Sequence, residues 1–281
     1  MTLPPKNADQ ATVDGFGREW TAFTQSETDL SAPDRRAMFD GYFSIFPWDA
    51  LPPDSIGADI GCGSGRWALL AAPRVGHLHA IDVAADALDV ARRNLAGLAN
   101  VSFHQASVSA LPFEDGALDF AYSLGVLHHV PDTVQALRDI AAKLKRGAPF
   151  LVYLYYAFDN RSAFYRTLWR ISNAGRLILS RAPYPVQIMA TTVIAYLVYW
   201  PIARMGALLE KIGMLPRSWP LTYYRHRAFY VMRTDAFDRF CTRLEQRFTR
   251  AQIEAMLEAA GFEQIRFSET EPYWVAAAKK S

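Results

Sequence analysis

The strongest constraint on the fold of this chain is the alternation of short apolar runs with amphipathic helical stretches from Ile56 onward. Five runs are predicted as buried strands: "GADIGC", "HLHAID", "NVSFHQA", "LDFAYSL" and "PFLVYLYY". Helical patterns such as "RWALLAAP", "AADALDVARRNLAGL" and "TVQALRDIAAKLK", the last started by Asp132 or Thr133 and stopped at Gly147, separate them. Parallel strands need such crossovers, so we expect an α/β doubly wound, mostly parallel sheet.

The same alternation resumes near the end of the chain after a long interruption. "TRAQIEAMLEAAG" is predicted as a helix capped by Thr249, and "FEQIRFSE" and "YWVAAAKK" as two more strands. The prediction is therefore a seven-stranded sheet with a largely helical cap inserted after the fifth strand. Its segments are a helical N-terminal part (1–53), a core (54–156), the insertion (157–247) and the end of the core (248–281).

A tight turn, "DIGCGSG", follows the first predicted strand and indicates a ligand site. Glycine lets a ligand approach bare backbone N–H groups, and ligands of open α/β sheets bind at the carboxyl ends of the strands. The spacing is G-x-G-x-G, because Arg66 stands where a dinucleotide-binding turn would have its last glycine. Asp82, which ends the second strand, is placed to accept hydrogen bonds from ribose hydroxyls.

Three segments together resemble the class I S-adenosylmethionine-dependent methyltransferases of the small-molecule branch. They are "ADIGCGSGRWA", "LHAIDVAADALDVARRNL" and "ALPFEDGALDFAYSLGVLHHVPDTVQALRDIAAKLKRGAPFLV", and the likeness covers about residues 54–156 and resumes at 248–280. The resemblance implies a Rossmann-like methyltransferase fold with S-adenosylmethionine as cofactor and no metal. The cofactor contacts that it implies are Asp59, Gly61, Cys62, Gly63, Gly65, Asp82, Val83, Ala106, Ser107, Val108, Ser123 and Leu124.

The chain departs from the family pattern at the expected adenine edge. Ala106 and Ser107 stand where the family commonly has Gly-Asp, so a hydroxyl replaces the carboxylate acceptor. A cation from the N-terminal segment or from the turn is expected to pair with the methionine carboxylate of the cofactor. Arg18 is the first candidate and Arg66 the second, and a solvated surface role stays open for both.

Candidate catalytic residues are predicted near the strand ends. His128 and His129 in "SLGVLHHVPD" and Tyr155 at the end of the fifth strand could act on the acceptor. A hydroxyl acceptor would benefit from a general base, whereas a carboxylate or a neutral amine would not strictly need one. For the histidines a structural role at a helix entrance stays open, and for the tyrosine a role as pocket wall.

The insertion is apolar, aromatic and basic. Residues 157–247 carry nine more basic than acidic side chains, and no charge occurs between Arg181 and Arg204. Three interpretations of residues 182–203 stay open: a buried cap helix, a helix pair on an anionic membrane surface, and a membrane span. Apolar walls with guanidinium groups suit a hydrophobic or lipid-like acceptor with an acidic head.

Other features limit the location and the class of the protein. Cys62 lies in the glycine turn, far from Cys241, and the N-terminus lacks a signal pattern, so we expect a cytoplasmic protein, peripheral at a membrane if the insertion binds one. Nucleic acid is not expected as a partner, because the rest of the chain is acidic. A non-catalytic or regulatory protein that keeps this fold at a membrane surface is the alternative function.

Overall fold

The computed structural model describes residues 6–26, 29–216 and 219–281, apart from the side chain of Phe164. Residues 1–5 and 27–28 of the predicted N-terminal part and residues 217–218 of the predicted insertion lie outside this range. The chain divides into two compact units. We call Met1–Glu27, Arg35–Asp159 and Leu244–Ser281 the sheet unit, and Thr28–Asp34 with Asn160–Arg243 the helical unit.

The sheet unit contains the predicted seven-stranded sheet. Its order is β3-β2-β1-β4-β5-β7-β6; β1 to β5 are parallel, and β7 runs antiparallel to both of its neighbours. The doubly wound, mostly parallel fold is therefore confirmed. The strands are β1 (Ile56–Ile60), β2 (His77–Asp82), β3 (Val101–Gln105), β4 (Phe120–Leu124), β5 (Pro149–Tyr153), β6 (Phe262–Phe267) and β7 (Val275–Lys280).

Helices occupy both units. They are α1 (Gln10–Ala22), α2 (Ala32–Tyr42), α3 (Ala68–Ala71), α4 (Ala85–Asn94), α5 (Thr133–Lys143), α6 (Ala163–Leu179), α7 (Tyr184–Ile194), α8 (Trp200–Lys211), α9 (Phe229–Cys241) and α10 (Arg250–Ala259). A π-helical segment, Ala195–Tyr199, joins α7 to α8 without a break in the helix.

Local sequence signals set several helix ends. The Asp132 side chain accepts a hydrogen bond from the Gln135 N–H at 2.9 Å, and Thr249 forms a capping box with Gln252. Several predicted extents are wrong. The fifth strand, predicted to run through Tyr156, ends at Tyr153, so Tyr155 follows the strand. The helix after the glycine turn is a single turn followed by a 3₁₀ turn, and α5 ends at Lys143, because Leu144 takes extended backbone and leaves Gly147 in the next turn at φ 79°.

The core of the sheet unit is built from the central strands and the helices packed on them. Ala58, Ala121 and Phe150 are fully buried on neighbouring strands, and the apolar faces of α5 and α10 contribute Leu137 and Leu257 to the same cluster. This packing holds the strand ends in fixed positions, and the loops that follow those ends carry the candidate site.

The helical unit has a separate small core. Ala195, Tyr199 and Ala203 of the long helix pack with Met232 and Ala236 of α9. The Arg176 guanidinium donates to the carbonyl oxygens of Thr242 and Arg243, which fixes the end of α9 against α6. The unit is therefore organised around α9, with α6 and α7 packed on it.

Candidate functional site

The candidate site lies at the carboxyl ends of the parallel strands, where the strand order reverses. β1 pairs with β2 on one side and with β4 on the other. The connection that follows β1 therefore runs to one side of the sheet, and the connection that follows β4 runs to the other side. This crevice is the usual ligand position in open α/β sheets.

The glycine turn after β1 is closely packed by side chains of the protein. Gly61, Gly63 and Gly65 have φ values of 80°, 53° and 78°, which side chains rarely adopt. A Cβ atom at Gly63 would lie 2.9 Å from the indole of Trp20, and one at Gly61 would lie 2.4 Å from Val126. The turn therefore needs glycine for its conformation and for its neighbours, in addition to any ligand.

Asp82 organises the backbone of this turn. Its carboxylate accepts from the N–H of Gly63 and from the N–H of Ala84, each at 2.9 Å. The N–H groups of Gly61 and Cys62 donate to the Ile81 carbonyl at 2.8 and 2.9 Å. Each carboxylate oxygen has a further lone pair, so Asp82 can hold the turn and accept from ribose hydroxyls at the same time.

The N-terminal segment is bonded to the turn. The Ser64 hydroxyl donates to Gln25 Oε1 at 3.0 Å, and the Asn94 amide donates to the carbonyl oxygens of Thr24 and Ser64 at 2.8 and 2.9 Å. With Trp20 over Gly63, these contacts place the end of α1 and the residues after it on the predicted cofactor turn.

Asp59 is a buried carboxyl group at the end of β1. Burial, the largest effect, and the nearby Asp82 raise its pKa, the Tyr122 hydroxyl and Arg66 lower it, and the resulting pKa is about 8. Neither carboxyl oxygen forms a hydrogen bond of normal length and angle with any described residue. A carboxyl group in this state is protonated near neutral pH, and a cationic ligand beside it would favour the ionised form.

The expected adenine edge is present but has few side-chain hydrogen bonds. The Ala106 N–H donates to the Asp82 carbonyl at 3.1 Å, and the Val83 carbonyl accepts from Gln105. Ser107 is buried before a 3₁₀ turn that begins at Val108, and its hydroxyl has no hydrogen-bond partner among the described residues. This hydroxyl can serve a ligand, as the sequence predicts.

Other predicted cofactor residues differ in their surroundings. The Ser123 hydroxyl is fully buried and donates to the Ile60 carbonyl at 2.8 Å, which ties β4 to β1, and Leu124 is buried beside it. Cys62 is buried with a free thiol. The guanidinium of Arg66 stacks 4.3 Å from the Trp67 ring centroid, whereas Arg18 has an exposed side chain on α1.

The two histidines after β4 have different tautomers. His129 Nδ1 lies 2.7 Å from the Leu244 carbonyl, so it carries the proton and leaves a lone pair on Nε2. His128 Nδ1 faces the Tyr155 N–H at 3.4 Å and accepts from it, which puts the proton on Nε2. Burial keeps the pKa of His128 well below its ordinary value, with His129 and Arg247 acting in the same direction. His129 is therefore better suited to accept a proton.

Aromatic rings line the ends of β4 and β5. Tyr155 stacks on His128 at 3.8 Å and lies 5.9 Å from Tyr153, which contacts Tyr42 at 5.1 Å between ring centroids. The Arg247 guanidinium lies 4.8 Å above the Tyr155 ring and pairs with Glu245 at 2.8 Å. This surface offers apolar contact with a cation at its edge.

Within residues 6–26, 29–216 and 219–281, no group of three His, Cys, Asp or Glu side chains is arranged to hold a metal ion. Several residues of the site are not predicted from the sequence. Trp20, Gln25, Asn94, Tyr122 and Leu244 act through contacts between distant positions, and no local motif marks them. Only the aromatic character of Trp20, two positions after Arg18, gives a weak signal.

Comparison with known proteins gives a family for the core. The sequence pattern of a methyltransferase domain family matches residues 58–147. The chain is 34% identical over 101 residues to the uncharacterized methyltransferase YcgJ of Bacillus subtilis, and 32% identical over 92 residues to a demethylmenaquinone methyltransferase of Staphylococcus aureus. These matches cover 35% and 32% of this chain, and the chain spans only 40% and 38% of the length of these relatives.

Solved structures are similar in fold. A Haemonchus contortus phosphoethanolamine N-methyltransferase, in complex with phosphomonomethylethanolamine and S-adenosylhomocysteine, matches with a TM-score of 0.53 and 16% identity; the match covers 93% of this chain and 46% of that one. A protein of Bacillus halodurans assigned as a methyltransferase matches with a TM-score of 0.50 and 17% identity over 84% of this chain and 71% of that one. At these identities the likeness supports the fold alone.

Proposed function

We propose, from the premise that residues 58–147 belong to the class I S-adenosylmethionine-dependent methyltransferases, that this chain transfers a methyl group to a hydrophobic small molecule. The expected family is confirmed, and its cofactor is S-adenosylmethionine. The bound cofactor supplies a methyl group already activated on a sulfonium sulfur. The protein therefore needs mainly to position an acceptor and to exclude water.

The residues of the site fit this cofactor. S-adenosylmethionine carries positive charge, and Asp59 is a buried carboxyl group without an ordinary hydrogen bond in the described structure. Asp82 has lone pairs for the ribose hydroxyls, and the buried Ser107 hydroxyl lies in the stretch expected to meet the adenine. Arg66 is better placed than Arg18 to hold the methionine carboxylate, because it lies close enough to Asp59 to lower its pKa.

The observation that carries the proposed acceptor chemistry is the fixed tautomer of His129. Its Nδ1 proton is held by the Leu244 carbonyl, so Nε2 can take a proton from an acceptor hydroxyl during transfer. Tyr155 and His128 pack beside it and position the ring. The aromatic rings of Tyr153 and Tyr42 supply the apolar wall that a hydrophobic acceptor needs.

The name of one relative is consistent with this acceptor class. The name demethylmenaquinone methyltransferase states a lipophilic acceptor for that protein. The basic side chains of the insertion suit an acceptor with an acidic or phosphorylated head. The non-catalytic alternative is not favoured, because the relatives named above are themselves called methyltransferases.

The test is methyl transfer from labelled S-adenosylmethionine to a panel of lipophilic phenols, quinols, amines and carboxylic acids, with label counted in the organic phase. His129→Asn should lower turnover of a hydroxyl acceptor by about 10²- to 10⁴-fold, because the Asn amide can still donate to the Leu244 carbonyl but provides no lone pair in place of Nε2. Cofactor affinity, measured by calorimetry, should stay unchanged. If both proteins turn over a hydroxyl acceptor equally fast, His129 does not act as the base. If no acceptor class gives a labelled product, the proposed function is wrong.

A further inference from the structure

One helix of the helical unit has the length and composition of a membrane span. Tyr184–Lys211 is 28 residues long, and its most apolar 18-residue stretch has a mean hydropathy of 1.5 and is 28% buried. These properties alone do not distinguish a span from a helix on a surface. The distribution of buried and exposed side chains around the helix distinguishes the two.

One side of this helix is bound to its own unit. Gln187, Thr191, Ala195, Tyr199 and Ala203 recur once per turn and are buried. Polar groups on or near this side have partners within the unit. The Gln187 amide donates to the Leu179 carbonyl at 3.2 Å, and the Arg204 guanidinium donates to the carbonyls of Arg225 and Arg227 at 2.8 and 2.9 Å. A helix that crossed a bilayer would have to give up these contacts.

The opposite side of the helix is apolar and exposed. We call this surface the apolar stripe; Met189, Leu197 and Leu208 are 64%, 66% and 55% exposed in it. The π-helical segment widens the stripe at its middle, where three successive side chains face outward. The full set is Val186, Met189, Val193, Tyr196, Leu197, Val198, Trp200, Met205, Leu208 and Ile212.

The charge of the sequence around the apolar stripe favours an anionic partner. From residue 160 to residue 209 the chain has six arginines and no acidic residue. Exposed Arg166, Arg170 and Arg181 lie on or just after α6, and exposed Lys211 ends the long helix. A second copy of the chain would bring these cations against each other, whereas anionic lipid head groups would attract them.

We infer that the apolar stripe docks the protein in the plane of an anionic membrane surface, with one side of the helix in the lipid interface and the other on its own unit. Interfacial helices of this kind combine an apolar face with basic residues, and Tyr196 and Trp200 are residue types that favour the head-group region. The inference is independent of methyl transfer, since lipid binding needs neither cofactor nor acceptor.

Vesicle flotation of the full chain tests this inference. Vesicles of phosphatidylcholine with phosphatidylglycerol should carry the protein, vesicles of phosphatidylcholine alone should carry less, and added salt should weaken binding. The triple variant Met189→Gln, Leu197→Gln, Leu208→Gln should lower the partition coefficient at least about tenfold, because it removes apolar contact with the interface. Each unfolding midpoint should stay unchanged, since these side chains are exposed.

A charge variant separates electrostatic attraction from apolar burial. Arg170→Gln with Arg181→Gln should lower binding to anionic vesicles about fivefold per arginine and leave binding to neutral vesicles unchanged. The matched control, Arg93→Gln with Arg146→Gln, replaces two exposed arginines of the sheet unit and should not change binding.

Three outcomes would overturn the inference. Absence of the unmodified protein from anionic vesicles is the first. The second is self-association abolished by the triple variant without lipid binding, which would assign the stripe to a second copy of the chain. The third is binding that withstands alkaline extraction and is unaffected by the triple variant, which would favour a span.

Discussion

Replacing Asp59 with asparagine should stabilise this protein, and the gain should grow with pH. The carboxyl group is buried and its pKa is raised from 3.8 to about 8, chiefly by burial. Between these two values the folded protein binds one proton more than the unfolded chain does. The free energy of unfolding of the unmodified protein therefore falls as pH rises, by about 1.4 kcal/mol per pH unit, until the pH passes the folded-state pKa.

The size of the effect follows from these two pKa values. A pH of about 7 is about three units above the pKa of this group in the unfolded chain. The free energy of unfolding of the unmodified protein should therefore be about 4 kcal/mol lower than that of the Asp59→Asn variant. Below about pH 4 both states are protonated and the difference should vanish. The amide of Asp59→Asn has nearly the same shape as the protonated carboxyl group, so packing against Tyr122 should change little.

Denaturant unfolding at several values between about pH 4 and about pH 8 measures this difference. The control is Asp54→Asn, an exposed carboxylate five positions earlier, which should follow the unmodified protein at every pH. If the unfolding free energies of Asp59→Asn and of the unmodified protein run parallel across this range, the carboxyl group is not held protonated and the reasoning about its burial is wrong.

Three further measurements address the site and the strand β2. Asp82→Asn should weaken S-adenosylmethionine binding by about 1.5 to 3 kcal/mol in a calorimetric titration, because a charge-assisted acceptor is lost; equal affinity would contradict a ribose contact. Gly63→Ala should cost about 1 to 3 kcal/mol of stability and shift Trp20 fluorescence, owing to its φ of 53° and the 2.9 Å approach, while Gly97→Ala, with open space around it, should not. The pKa of His79 is lowered to about 4 by burial and by neighbouring histidines, so its contribution to stability is lost as pH falls from about 6.5 towards that value. His79→Gln should remove that loss of stability. The loss should be about 1 kcal/mol, because solvent screens the partly exposed ring. Chemical denaturation at about pH 4 and at about pH 6.5 would detect the difference.

The sheet and the glycine turn were predictable because they depend on short-range patterns. Alternating apolar runs specify the parallel strands, and Thr249 begins α10 through a capping box that spans four positions. The acceptor side was less predictable. The sequence marks His128 and His129 equally, and their tautomers are assigned by the Leu244 carbonyl, 115 positions from His129, and by the Tyr155 N–H.

The insertion shows a second limit of sequence reasoning. Residues 182–203 are apolar throughout, so a buried cap, a surface helix and a span have similar compositions. The structure separates the sides of the helix through residues such as Thr191, which is buried, and Leu197, which is exposed. This pattern depends on packing against α9, which comes more than thirty positions later in the chain.

The placement of α1 affects the order in which the protein can be assembled during synthesis. Trp20 and Gln25 meet the glycine turn about forty positions later, and the Thr12 hydroxyl accepts from the Leu244 N–H, 232 positions away. Chains are made from the N-terminus, so α1 leaves the ribosome long before either partner exists. The contacts that bring α1, the glycine turn and residue 244 together have a high loop-closure cost and form late. A ribosome-bound chain halted before Leu244 would therefore lack the carbonyl that accepts from His129, and the proposed acceptor side of the site would be completed only after the whole helical unit has been synthesised.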